Sequence, residues 1–302
     1  MIWLITIIGA YFLNASATVI DKFLLAKKIP NPAVYAFFIC FLNLLGLVFI
    51  PFGFHFSSWS QTLIGLFNGV LFTFAYLFMF MALNRNEASR ITPFMGGLQP
   101  IFVLLLAFVL LGEAIGGLML VAFAVIVLGT IVLSYQKKDS KRPMINSQSS
   151  YWLALIATIL FAGAYTLNKY IFVSEGFVTG FVLVRIGTFL GALLLLLRPQ
   201  NIKDIWAEVR APKKASGGLF LVGQGAGALS LILVSYAVAI SPSVAIINAS
   251  RGLEYVFLLA IVLLLARKHP HLLEEKLTPW IIFQKAGAVA LIIAGLVVLA
   301  LA

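Results

Sequence analysis

Long apolar runs, separated by short polar segments, dominate the hydrophobic pattern of this chain. A helix that spans a bilayer needs about 20 consecutive, mostly apolar residues. Ten runs fit that description, at residues 2–20, 33–54, 62–83, 90–111, 115–135, 151–172, 177–197, 217–239, 243–266 and 280–301. The first run has no basic segment before it and its first positive charge, Lys22, after it, which is typical of a retained helix rather than a signal peptide. The pattern predicts an all-α membrane protein with ten transmembrane helices.

Two longer polar segments interrupt this pattern. Residues 136–150 (QKKDSKRPMINSQSS) are polar and contain a proline, so we expect a flexible cytoplasmic linker there. Residues 199–216 place apolar side chains at helical spacing beside basic ones, which is typical of an amphipathic helix at a membrane surface. The apolar positions are Ile202, Ile205, Trp206 and Val209. We therefore predict a short interfacial helix over this segment.

Composition agrees with a membrane-embedded chain, and charge predicts its orientation. Of the 302 residues, 62% are hydrophobic and 10% are charged, whereas soluble domains carry about 25% charged residues. Four of the 21 lysines and arginines lie in the interior of predicted spans, and the remaining 17 lie in loops that follow odd-numbered spans or, for Arg90, at the edge of such a loop. Basic loops stay in the cytoplasm, so we expect a multi-pass protein of the cell (inner) membrane with both termini outside. The net charge of +11 then reflects topology and contact with anionic headgroups, and it requires no nucleic-acid partner.

The two halves of the chain resemble each other. A shift of 147 residues pairs ATVIDKFLL (17–25) with AYTLNKYIF (164–172). A shift of 155 pairs ALNRNEASRITPFMGGLQPIFVLLL (82–106) with AVAISPSVAIINASRGLEYVFLLAI (237–261). We predict two five-helix repeats, 1–135 and 151–302, joined by the linker 136–150. Because five is odd, the repeats must insert with opposite orientations, which is the inverted-repeat design of secondary carriers.

The stretch ALNRNEASRITPFMGGLQPIFVLLLAFVLLGE (82–113) resembles the signature of the EamA domain of the drug/metabolite transporter superfamily. The matching positions are Ala82-Leu83, Pro100 and Gly112-Glu113. The resemblance implies ten helices, export or exchange of small metabolites, and a central cavity lined mainly by helices 3, 4, 8 and 9. The second repeat departs from the signature, with Tyr255 in place of Pro100 and Arg267-Lys268 in place of Gly112-Glu113.

Three charged residues lie deep inside predicted spans. Arg185 and Arg251 are each the ninth residue of their span, and Glu254 is the acid at comparable depth. Arg251 and Glu254, at i and i+3, share one helix face. The sequence leaves open whether they form a structural pair or bind substrate. Two arginines against one carboxylate leave a positive charge over, which favours a substrate with a carboxylate or phosphate group.

Polar side chains in other spans complete the set of candidate substrate-binding residues. Besides Arg251, Glu254 and Arg185, the set comprises Gln99, Asn248, Tyr76, Asn14 and Gln224. Interhelical hydrogen bonds are the alternative role for each of them. The interior of helix 1 contains Asn14 where the small multidrug-resistance proteins of the same superfamily rely on a glutamate. A cation-drug exporter is therefore less favoured.

The sequence as a whole predicts a secondary-active exporter or exchanger of small polar or anionic metabolites, such as amino-acid-like compounds, working by alternating access. The alternatives are a multidrug or cationic compound exporter of the same fold, a channel, and a membrane-embedded enzyme. The enzyme is disfavoured because the sequence contains no P-loop, GxSxG or HExxH motif. We expect no catalytic residues, no metal and no cofactor. Substrate identity, direction, coupling ion and dimerisation through helices 5 and 10 are left open.

Overall fold

A computed structural model describes residues 2–27, 31–56, 58–85, 88–113, 116–134, 147–210, 217–268 and 279–301. These residues are helical almost throughout, and no strand occurs among them. The α-helices are α1 Ile2–Lys27, α2 Pro32–Leu42, α3 Trp59–Arg85, α4 Ala88–Leu111, α5 Gly117–Ser134, α6 Ser147–Glu175, α7 Phe177–Leu195, α8 Pro199–Arg210, α9 Gly217–Ile240, α10 Val244–Ala249, α11 Gly252–Lys268 and α12 Pro279–Leu301. A 3₁₀ helix, η1, continues α2 over Asn43–Phe52. The all-helical prediction is confirmed.

Seven helical stretches of the described chain are long and apolar enough to cross a bilayer. Two further helices contribute shorter apolar stretches, Gly117–Val132 in α5 and Phe283–Val298 in α12. The predicted span 243–266 differs from the other nine because it is split into α10 and α11. The protein is a multi-pass membrane protein, and the count of ten spans stays a prediction.

The break between α10 and α11 is a tight turn at Ser250 and Arg251. The amide of Arg251 bonds to the carbonyl of Asn248 at 3.2 Å, and the amide of Glu254 bonds to that of Arg251 at 2.9 Å. These i to i+3 bonds have the tighter 3₁₀ pattern. All six residues of α10 are buried, so this irregular backbone is shielded by protein, as non-helical backbone at membrane depth must be.

Close helix pairs define the packing around this break. α1 packs along α9, α3 along both α6 and α7, α4 along α6, and α5 along α12. The α3–α7 contact depends on glycine: a Cβ on Gly69 would collide with backbone atoms of α7, and one on Gly187 would collide with the carbonyl of Leu66. Small residues at such positions let two membrane helices approach backbone to backbone.

The two polar segments have different outcomes. A helix is present over the segment predicted to be interfacial, as α8, Pro199–Arg210, and residues 211–216 lie outside the described residues. Its location at the membrane surface stays a prediction. Of the predicted linker, residues 136–146 lie outside the described residues, whereas 147–150 form the first turn of α6. Helix α6 begins before residue 151, where the span was predicted to start. Hydropathy does not reveal this first turn because Ser147–Ser150 are polar, although Ser150 is fully buried in the bundle.

Candidate functional site

The first polar cluster lies at the break between α10 and α11. Arg251 Nε donates to Glu254 Oε2 at 3.1 Å, and Arg251 Nη1 donates to Gln99 Oε1 of α4 at 3.2 Å. The Glu254 side chain is only 6% exposed, whereas that of Arg251 is 30% exposed. Arg251 and Glu254, which were predicted to share a helix face, therefore form a direct ion pair in which Arg251 is the accessible partner.

Hydrogen bonds extend this cluster to two other helices. Gln99 Nε2 donates to Asn248 Oδ1 at 2.9 Å, and Thr18 Oγ1 of α1 donates to Glu254 Oε1 at 3.2 Å. α1 also bonds to α10 directly, through the Tyr11 hydroxyl and the Ile247 carbonyl at 2.7 Å. Residues of α1, α4, α10 and α11 thus form one network. It includes α10 and α11, the two helices that meet at the break.

Arg185 occupies a second, different environment in the middle of α7. Its side chain is buried, with the residue 4% exposed. Nη1 donates to Asn43 Oδ1 at 2.7 Å, and the guanidinium carbon lies 4.7 Å from the centre of the Phe181 ring. Its Nε has no hydrogen-bond partner in the described chain, and no carboxylate there lies within ion-pair distance of it.

Tyr76 of α3 is half-buried among aromatic side chains. The ring lies in an aromatic cluster, with its centre 5.1 Å from that of Phe161 in an edge-to-face arrangement. Tyr165 of α6 belongs to the same cluster. Tyr76 stays a candidate predicted from the sequence, and the sequence did not single out Tyr165 because nothing along α6 distinguishes it from a packing residue.

The remaining two candidates lie on helices that pack together. Asn14 is half-buried on α1, one helical turn before Thr18, so it shares the face of α1 that contacts Glu254. Gln224 is half-buried on α9, next to Gly223, where a Cβ would meet the Ile20 side chain of α1. The structure therefore groups Arg251, Glu254, Gln99 and Asn248 by direct bonds and places the other four candidates on neighbouring helices.

Lys169 lies near the end of a predicted span, where its long side chain could extend to the interface. Instead Lys169 is buried, and its Nζ donates to the carbonyls of Val238 at 3.1 Å and Ser241 at 2.5 Å. Glu113, which follows the end of α4, accepts through its Oε2 from the Val244 amide at 3.1 Å. The two side chains hold the turn between α9 and α10, because they satisfy backbone groups that helix ends leave without partners.

Two surface pockets lie away from this network, one on α8 and one lined by Phe94 of α4 and by Gln148, Tyr151 and Trp152 of α6. The residues of the network instead contact one another directly. No cluster of histidine, cysteine, aspartate and glutamate suited to a metal ion occurs among the described residues.

Comparison with known proteins supports the resemblance noted above. The model of the EamA-like transporter family matches residues 1–135. No curated protein matches the chain. A solved crystal structure aligns with 99% of this chain and 96% of its own, with a TM-score of 0.68 and 16% identity, so this likeness shows the fold alone. The resemblance found in residues 82–113 is confirmed, because those residues lie within the segment that the EamA-like transporter family model matches.

Proposed function

We propose that this protein is a secondary-active carrier of small polar or anionic metabolites, such as amino-acid-like compounds, that works by alternating access as an exporter or exchanger. Arg185 is the observation that carries the proposal. A buried guanidinium without a carboxylate is costly in a low-dielectric site, and an anionic substrate would supply the missing charge. Its free Nε offers that substrate a charge-assisted hydrogen bond.

Helix packing supports two inverted five-helix repeats. If the first helix of each repeat is matched (α1 with α6) and the third likewise (α3 with α9), then the α1–α9 pair is equivalent to the α6–α3 pair. Both pairs are closely packed, and α5 packs on α12, the last helix of each repeat. With the basic loops in the cytoplasm of a cell-membrane protein, both termini would lie outside.

One asymmetry between the repeats supports alternating access. α3 packs tightly on α7, whereas the equivalent pair, α9 and α2, is not among the closely packed pairs of the described chain. Inverted repeats place equivalent contacts at opposite membrane faces. A carrier that is closed at one membrane face and looser at the opposite face has this arrangement. If the tight and the loose helix pair interchanged their packing, the site would open to the opposite face.

The Arg251–Glu254 pair would act as the adjustable part of the site. Arg251 is the more exposed partner, so a substrate carboxylate can approach it and compete with Glu254. A carboxylate released from its arginine becomes available to take up a proton. This exchange would couple substrate binding to a proton gradient without any cofactor.

A multidrug or cationic compound exporter of the same fold is the second candidate. The aromatic rings around Tyr76, together with the acid Glu254, favour it, because aromatic faces attract organic cations. Resistance profiling of cells against cationic dyes separates the two candidates. Protection against the dyes that depends on Glu254 would favour the cation exporter.

Transport in proteoliposomes tests the anion proposal. The wild type and the variants Arg185→Gln and Arg251→Gln would be assayed against a panel of anionic, zwitterionic and cationic metabolites. We expect both variants to lose transport of an anionic or zwitterionic compound that the wild type carries. Arg85→Gln is the matched control, because Arg85 is exposed and bonds to Ser149 at the end of α3. Unchanged transport of all such compounds in both variants would refute an anion site.

A further inference from the structure

We propose that α8 carries a binding site for the headgroup of an anionic phospholipid, formed by Lys203, Trp206 and Arg210. This inference rests on the membrane character of the chain and on the geometry of α8. It does not depend on what the protein transports. The ligand class is a glycerophospholipid with a net negative charge at its phosphate headgroup.

The position of α8 places it where membrane spans begin and end. α8 follows directly after the end of α7 at Leu195, and its Asn201 Nδ2 donates to the Leu195 carbonyl at 2.7 Å. Its Asp204 Oδ2 accepts from Asn31 Nδ2 at 2.6 Å. Asn31 is the residue that caps the start of α2, since its Oδ1 accepts from the Ala33 amide at 2.9 Å. The helix is thus held beside one end of the bundle.

These contacts also fix which face of α8 points away from the protein. Ile205 and Asn201 are buried against the bundle. The neighbouring apolar residues are not: Trp206 is 57% exposed, Val209 is 51% exposed and Ile202 is 40% exposed. An exposed apolar stripe on a helix at the end of a membrane bundle fits the boundary between headgroups and acyl chains.

The charges of α8 are segregated around this stripe. Lys203 and Arg210 are seven residues apart, so they lie on the same face, and Trp206 lies between them at i+3. The Arg210 guanidinium lies over the Trp206 ring at 5.6 Å from its centre. The acids Asp204 and Glu208 are four residues apart and share a different face. A phosphate beside the exposed apolar stripe would therefore lie closer to the two cations, Lys203 and Arg210, than to the two acids.

A pocket already exists at this place. It is lined by Ile202, Lys203, Trp206, Ala207 and Arg210. Its walls combine two apolar side chains, one amphipathic ring and two cations, which is the chemistry of a lipid at the level where glycerol joins phosphate. Tryptophan is enriched at that level of membranes because its ring is apolar and its N–H is polar. The pocket thus suits a lipid headgroup better than a second protein chain, which would leave the basic groups facing an apolar partner.

Fluorescence quenching of Trp206 in nanodiscs tests the proposal. The full-length protein would be placed in phosphatidylcholine discs that contain increasing fractions of brominated lipid, either phosphatidylglycerol or phosphatidylcholine. Trp206→Phe gives the signal that belongs to the other tryptophans. We expect brominated phosphatidylglycerol to quench Trp206 at lower fractions than brominated phosphatidylcholine. Each basic residue near a membrane surface contributes about a fivefold preference for anionic lipid.

Charge variants decide whether the headgroup is the cause. The double variant Lys203→Gln with Arg210→Gln should bind phosphatidylglycerol about as well as phosphatidylcholine. Arg210→Gln alone should reduce the preference for phosphatidylglycerol about fivefold. Arg85→Gln, exposed and away from α8, should leave it unchanged. Equal quenching by both lipids in the wild type would overturn the proposal and leave α8 a purely apolar anchor. An unchanged preference in the double variant, or quenching that falls as more copies are placed in each disc, would overturn it as well.

Discussion

Arg251 and Arg185 are both intramembrane arginines of the second half of the chain, yet their surroundings differ. Arg251 lies at a break between two helices and pairs with Glu254 and Gln99. Arg185 lies within the continuous helix α7, bonds to one neutral amide and has an aromatic ring beside it. The comparison teaches that one arginine has a carboxylate partner in the described chain, whereas the other is surrounded by a neutral amide and an aromatic ring.

The backbones that carry the two arginines differ in the same sense. Arg251 lies in the turn before α11, and the backbone of a turn can change conformation more easily than the middle of a helix. Arg185 is held by the α3–α7 contact, where Thr73 Oγ1 also donates to the Thr188 carbonyl at 2.9 Å. We therefore regard Arg251 as the adjustable residue of the site and Arg185 as the fixed one. The four predictions below test this difference, in order of decreasing effect on stability.

Arg251→Met should destabilise the protein most. It leaves the buried Glu254 carboxylate without its cation, and breaking a buried pair from one side costs about 3 kcal/mol. We expect a clearly lower Tm in detergent. The double variant Arg251→Met with Glu254→Met removes both charges and should recover most of the loss. A double variant as unstable as the single one would show that the pair is not the cause.

Gly187→Ala should separate α3 from α7 and disturb the site of Arg185. The added Cβ would collide with the Leu66 carbonyl, and overpacking of this kind costs about 1–3 kcal/mol. We expect a lower Tm and a smaller yield of monodisperse protein. Gly225→Ala on α9 is the matched control, since nothing lies within 4 Å of a Cβ there. Equal behaviour of the two variants would contradict the tight α3–α7 contact.

Gln99→Leu should loosen the compensated arginine by a smaller amount. The change removes one acceptor from Arg251 and one donor from Asn248, and a lost buried hydrogen bond costs about 1–3 kcal/mol. We expect Tm to fall less than in Arg251→Met. Gln200→Leu on the exposed part of α8 is the control and should have little effect. A larger loss for Gln200→Leu than for Gln99→Leu would argue against the network.

Arg185→Met should have the smallest effect on stability and should contrast most sharply with Arg251→Met. Removing an uncompensated buried charge relieves a desolvation penalty, so we expect an unchanged or higher Tm. The same variant should lose the Tm increase that an anionic substrate produces by binding the folded state. A thermal-shift screen of both proteins against metabolite pools measures the two effects. A Tm as low as that of Arg251→Met would mean that Arg185 is compensated after all.

Local rules were enough for some features of the site. Spacing alone placed Arg251 and Glu254 on one helix face, because residues three apart always are neighbours on a helix. The same kind of rule located α8, since its apolar and basic residues alternate with helical period. Spacing could not show that the span 243–266 breaks at Ser250. Ser250 and Arg251 form that turn, and the apolar residues on both sides of them keep the mean hydropathy of the run high, so hydropathy does not reveal the break.

Other features depend on residues that are distant along the chain. Thr18 and Glu254 are 236 residues apart, and Asn43 and Arg185 are 142 apart. No periodicity relates such positions, because their contact follows from how α1 and η1 pack on the second half. Lys169 shows the same limit. Its place near a span end suggested contact with the interface, whereas the packing of α9 brought the carbonyls of Val238 and Ser241 to it.

Hydropathy by itself determined that this chain lies in a membrane as helices, because every backbone polar group in lipid must be satisfied within its own segment. Local spacing likewise determined which charges share a helix face. Only the tertiary structure decided which residues of other helices lie beside the two intramembrane arginines, Gln99 beside Arg251 and Asn43 beside Arg185. Those contacts depend on how the helices pack, and no spacing along the sequence predicts them.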